Sequence, residues 1–148
     1  MSLTRDLILS TKAGTALDRL VEEHILEWVA WQELRGEYLV VTFQKPGAPE
    51  PYKRSQKWES EMQRYSVIQF EDLDTMKHAV YGDKDFSTDI SLAWEVEEKI
   101  KKMGLHVEYC RALKQVVVNT GEYVGLFDYI HATPEQRCKA ALLAVLNL

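Results

Sequence analysis

LHVEYCRALKQVVVNTGEYVGLFDYIH, Leu105 to His131, is the stretch whose reading decides the fold. It is rich in valine and aromatic residues, the types that fit a pleated, half-buried surface. Three strand-like runs follow one another: Leu105 to Cys110, Leu113 to Asn119, and Glu122 to His131. Asn119-Thr120-Gly121 reads as a short turn, with Gly121 free to adopt positive φ. The spacing predicts an antiparallel meander.

Helical patterns flank this run. FSTDISLAWEVEEKI, Phe86 to Ile100, opens a helix that should end at Gly104. Ser87 or Thr88 is the expected N-cap, with Asp89 in the first turn facing the positive end of the helix dipole. Leu92, Ala93, Val96, Ile100 and Met103 form one apolar face, with Ile90, Trp94 and Glu97 at its border. The closing run TPEQRCKAALLAVLNL predicts a helix capped by Thr133, with Pro134 at its first position and Gln136 completing a capping box. Ala140 to Leu146 is apolar nearly all round, as in a helix buried on several sides or lying in an interface.

Upstream, Thr4 to Ser10 is either one helical turn or an extended arm, and Thr11 is placed to cap the next element. Leu17, Leu20, Val21, Ile25, Trp28 and Val29 keep helical spacing, predicting a helix from Ala13 to about Glu33 with Gly36 as its stop. Glu37 to Gln44 and Ser66 to Glu71 read as strands, and Lys57 to Tyr65 as a short helix. KPGAPEP excludes regular structure through its three prolines. The expected fold class is α+β: a mostly antiparallel sheet sandwiched between helices in α/β/α layers, with a helix–three strands–helix C-terminal half. A chain of 148 residues fits a single domain.

The net charge of −5 argues against broad non-specific binding to nucleic acid, which rests on neutralising phosphates. No apolar run approaches the roughly 20 residues of a membrane span, and no export signal is expected. Cys110 and Cys138 form no paired motif, so a thiolate zinc site is not expected. They are read as small core residues in a reduced, cytoplasmic setting.

Three blocks stand together: AGTALDRLVEEHILEW (Ala13 to Trp28), FSTDISLAWEVEEKIKKMG (Phe86 to Gly104) and ATPEQRCKAALLAVL (Ala132 to Leu146). In this order they resemble the phage ABA-sandwich domain, a family of small phage and prophage proteins. The resemblance rests on about a third of the chain. It implies a sheet between helical layers, a bacterial host, and no assigned activity or catalytic residue. Many relatives reach the STDI block soon after the first helix, or through a cysteine-bearing insertion. Here residues 29–85 intervene without cysteine. They read as an insertion with two strands and a proline-rich loop.

Each chemically suggestive cluster has a plainer account. Ser87, Thr88 and Asp89 are explained as a helix cap, and no neighbouring histidine offers a base for a nucleophile. Glu97 is explained as a salt-bridged carboxylate and Trp94 as a core-edge residue. His106 and His131, on neighbouring strands, would have to meet Glu108 to hold a metal, and sequence supplies no such geometry. YKRSQKW interleaves cations with aromatics, a pattern that holds phosphates or stacks rings but also occurs in exposed loops. The candidate ligand-binding residues are therefore Tyr52, Lys53, Arg54, Lys57, Trp58, Trp94 and Glu97. No catalytic set, metal ligands or cofactor is expected.

The leading functional expectation is a non-catalytic binding or assembly module, an accessory protein of phage or prophage type. Its partner would be a protein or a small molecule, and the C-terminal helix would support a homo-oligomer. A second reading comes from the helix–three strands–helix order, which is that of double-stranded-RNA-binding domains. Arg137 and Lys139 sit near the final helix's start, where those domains place lysines, though their basic run is missing and Glu135 lies within that stretch. Two further readings stay open: a small nucleotide-acting enzyme, and a ligand binder that interferes with host defence.

Overall fold

The computed structural model describes residues 3–35, 38–47, 56–57, 77–81, 84–119 and 125–148. The chain forms two compact units, Leu3–Leu26 with Lys84–Leu148, and Glu27–Asp83. The first is built of helices: α1 (Arg5–Ser10), α2 (Thr15–His24), α3 (Ile90–Lys102), α4 (His106–Asn119), α5 (Leu126–Ile130) and α6 (Pro134–Leu146).

The expected sheet of the C-terminal half is overturned. Leu105–Cys110 and Leu113–Asn119 are not two strands but one continuous helix, α4, and residues 126–130 form the short helix α5. Residues 120–124, where the turn and the start of the third strand were expected, lie outside the described residues. The reason is visible in the packing. Tyr109, Ala112, Leu113, Val116 and Val117 are buried, and they succeed one another at i, i+3, i+4, i+7 and i+8. That stripe belongs to an amphipathic helix. The β-branched valines reduce helix propensity by a few tenths of a kcal/mol each, whereas burying each side chain gains about 1.5–3 kcal/mol. An α/β/α arrangement with a meander at its centre is thus not the architecture of this unit.

Helix α6 is the hub of the unit. It packs against α1, α2, α3 and α4, and Arg137 through Ala144 are all buried. Its apolar girdle is therefore covered within the chain. The N-terminus is built as its sequence suggests. Thr133 accepts from the Gln136 amide at 3.1 Å, Gln136 accepts in return from the Thr133 amide at 2.9 Å, and Pro134 opens the helix. At the other end Asn147 turns left-handed at φ 54°.

Helix α3 buries Ala93, Val96 and Ile100 but starts differently from expectation. Asp89 is its N-cap, accepting from the Ser91 and Leu92 amides at 2.8 and 3.3 Å. Ser87 lies deeper. Its amide and hydroxyl both donate to Asp18 Oδ1, at 2.8 and 2.7 Å, and its oxygen accepts from the Gly14 amide at 2.8 Å. Ser87 thus fastens α2 to the turn before α3. At Gly104 (φ +72°) the chain turns from α3 into α4.

The segment Thr4 to Ser10 is helical, capped by Thr4, whose Oγ1 accepts from the Leu7 amide. Thr11 closes α1, its hydroxyl donating to the Leu7 carbonyl at 2.6 Å, rather than capping α2. Helix α2 stops at His24 instead of running to Glu33. Glu27 takes φ +58°, and Val29 onward is extended.

In the second unit four strands are described: β1 (Val29–Arg35), β2 (Tyr38–Gln44), β3 (Gln56–Lys57) and β4 (Lys77–Tyr81). Their order is β3-β1-β2-β4. β1 pairs antiparallel with β2, from Val29 opposite Gln44 to Arg35 opposite Tyr38, and antiparallel with β3. β2 runs parallel to β4. The strand expected at Ser66–Glu71, and all but Lys57 of the helix expected at Lys57–Tyr65, fall outside the described residues. Among the described residues no helix is long and apolar enough to cross a membrane.

Candidate functional site

Helix α5 is the one helix of the described residues with no buried side chain. Leu126, Phe127 and Ile130 are 73, 65 and 62% exposed. On a helix, positions 126, 127 and 130 share one face. Contiguous exposed apolar surface marks contact sites more often than scattered single residues do. Phe127 also stacks on the His131 ring, with centroids 4.1 Å apart.

A helix of five residues does not hold its shape alone, because nucleation is costly. Two devices fix it. At the start, Asp128 accepts from the Gly125 amide at 2.8 Å. At the end, the Arg137 guanidinium gathers carbonyls of the helix's last turn and of the residues just after it, where intrahelical donors run out. It donates to Ile130 at 2.9 Å, Tyr129 at 3.4 Å and Ala132 at 2.8 Å. Its remaining reach goes to Glu97 Oε1 at 2.8 Å, an ion pair between α6 and α3. The other oxygen of Glu97 accepts from the Tyr109 hydroxyl at 2.5 Å. Arg137 therefore ties α5, α3, α4 and α6 together at one point.

The electrostatics of this point arise from its burial. Tyr109 is held far above the usual phenol range, first by desolvation, then by its hydrogen bond to Glu97 and by that carboxylate's charge. Cys138, fully buried on α6, has its thiol raised by desolvation and by the charges of Asp18 and Glu97. Its Sγ donates to the Phe86 carbonyl at 3.2 Å. Cys110 is exposed, not a core residue as expected.

The candidates drawn from the sequence are scattered over the chain. Glu97 occupies the node just described. Trp94 is 54% exposed and stands away from the core, one residue and about 100° past buried Ala93. Lys57 lies in β3 opposite Trp31. Tyr52, Lys53, Arg54 and Trp58 lie outside the described residues. His106 opens α4 and His131 comes directly after α5, so neither sits on the neighbouring strands that were to bring them together. Among the described residues no group of three metal-donor side chains converges. Arg137 and the α5 face were missed as a site. Their one sequence signal is LFDYI, apolar on both sides of a single aspartate.

A family model described as the phage ABA sandwich domain matches residues 19–142. The chain belongs to the phage ABA sandwich domain family. The match spans most of α2 and most of α6, so the node of Glu97, Tyr109 and Arg137 lies inside the family's domain. The sandwich of the family's name is not seen in the helical unit, where α6 rather than a sheet is the central element. No match was found among curated proteins or among solved structures.

Proposed function

We propose that this phage-family protein is a non-catalytic binding module that docks an apolar segment of a partner protein on α5. The observation that supports the reading is the outward face of Leu126, Phe127 and Ile130, held rigid from behind by Arg137. Three side chains of this size expose on the order of a few hundred Å². That is below the roughly 800 Å² per side of a standard interface. They suit the anchoring centre of a larger contact, where a few residues carry most of the binding energy. The setting proposed is the cytoplasm of a bacterial host, in keeping with two free cysteines.

The duplex-RNA reading is not carried forward, because its helix–three strands–helix order is replaced by helices. Its two basic residues are also engaged. Arg137 is buried on Glu97, and Lys139 donates to the Leu9 carbonyl and to Glu135, at 2.8 and 2.9 Å.

The test is a variant carrying Leu126→Ser, Phe127→Ser and Ile130→Ser. Exposed positions tolerate such changes within about 0.5 kcal/mol each, so helical circular dichroism should be unchanged. Host proteins captured by the parent chain should be lost by the variant. Equal capture by both would remove the reading. Sedimentation of the chain alone separates a second copy from a foreign partner.

A further inference from the structure

A second feature of the helical unit lies between α4, α6 and the start of α1. It is a groove of about 220 Å³. Its lining is about equally polar and apolar, and the apolar part comes from Ala112 on α4 and Leu143 and Ala144 on α6, all largely buried. Ala112 and Ala144 are small, and both line the space between the two helices. One wall is a strap, with Arg5 donating to Gln115 Oε1 at 2.6 Å and to the Leu148 carbonyl at 3.2 Å.

The rim carries opposite charges, Glu108 and Arg111, both exposed. Residues three apart on a helix lie about 5–6 Å apart at Cβ, within reach of one another. Yet the two do not pair, and among the described residues neither makes a hydrogen bond or ion pair. Among the described residues, an unengaged guanidinium and an unengaged carboxylate thus stand at the rim of a groove whose lining is partly apolar.

This arrangement limits the ligand by size and by charge. A cavity of about 150 Å³ takes one benzene ring, and drug-sized pockets begin near about 300 Å³. The groove therefore fits a molecule of roughly six to ten heavy atoms. A guanidinium recognises a carboxylate, as a planar fork. The Glu108 carboxylate needs a cationic donor. The apolar part of the lining needs a short hydrocarbon.

We propose that this groove binds a free α-amino acid with a branched aliphatic side chain. Its carboxylate meets Arg111, its ammonium meets Glu108, and its hydrocarbon lies on Ala112, Leu143 and Ala144. The site stands independently of the α5 face.

The experiment is a titration of the full chain monitored by amide NMR. Three probes are used: L-leucine, its amide (cation only) and 4-methylpentanoate (anion only). Leucine should give saturable shifts at residues 111–115 and 143–144. Its affinity should be millimolar, and about tenfold tighter than either analogue's, the ratio expected from about 1.4 kcal/mol of added charge contact. Glu108→Gln should abolish the preference over 4-methylpentanoate, and Arg111→Gln the preference over the amide. Both side chains are exposed, and unchanged spectra elsewhere report an intact fold. The proposal is overturned if those amides show no saturable shift, if an analogue binds the parent chain as tightly as leucine, or if either variant keeps the parent's preference.

Discussion

Replacing Arg137 by Met tests the central claim about the helical unit, that one guanidinium holds α5 to the rest. Met keeps most of the volume and fills irregular space well, so the loss reports the polar contacts. Removing one partner of a buried ion pair costs about 3–5 kcal/mol. Here the Arg137 side chain is 11% exposed but that of Glu97 is 25% exposed, so water and the Tyr109 hydroxyl recover part of the loss. The Tyr129 and Ile130 carbonyls are only part-buried and are rehydrated in the variant, whereas the Ala132 carbonyl is buried. The expected destabilisation is about 2–4 kcal/mol. The assay is urea denaturation monitored by circular dichroism at the helix band, which favours the helical unit. Tryptophan fluorescence would mix both units, because Trp94 lies in one and Trp28 in the other. Glu97→Gln keeps an acceptor for Tyr109 and should cost less, about 1–2 kcal/mol. The double variant should show a coupling energy of about 0.5–3 kcal/mol. Hydrogen exchange adds a local readout, since the amides of residues 127–132 should lose protection in the Arg137 variant beyond the global change. A loss below about 1 kcal/mol, or α5 amides that track the global change alone, would refute the reasoning.

Other buried groups carry further outcomes. Tyr109 and Cys138 both have raised proton affinities in the folded chain. A raised folded pKa means stability that is present below the unfolded pKa and lost as pH rises beyond it. Stability should therefore decline from about pH 9 through Cys138 and more steeply above about pH 10, where Tyr109 joins at about 1.4 kcal/mol per pH unit per group. Cys138→Ala should move the onset upward, which denaturation midpoints across alkaline buffers would show. Ser87→Ala removes a hydroxyl that joins Asp18 and Gly14 inside the fold. It should cost about 1–3 kcal/mol in urea denaturation, whereas Thr88→Ala, on an exposed neighbour, should be near neutral.

The sequence by itself determined the features that depend on near neighbours. The Thr133–Gln136 capping box and Pro134 are set by residues three apart, and the buried stripe of α3 by the spacing of Ala93, Val96 and Ile100. Strand β2 came from a run of β-branched and aromatic residues, and the three blocks pointed to the family that the chain belongs to. Residues 105–119 carried the right signal too, since their helical stripe is present in the letters. Valine composition drew the reading to strands, although period carries more energy than propensity once a face is buried. Only the tertiary structure decided which polar groups meet. Arg137 and Glu97 lie 40 residues apart, and Ser87 and Asp18 lie 69 apart. No periodicity records such pairs, because each joins residues far apart in the chain that meet only when the elements carrying them pack together and polar groups leaving water must find partners. The same enclosure turned the apolar face of α6 inward and left that of α5 outside, a partition set by packing rather than by hydrophobicity.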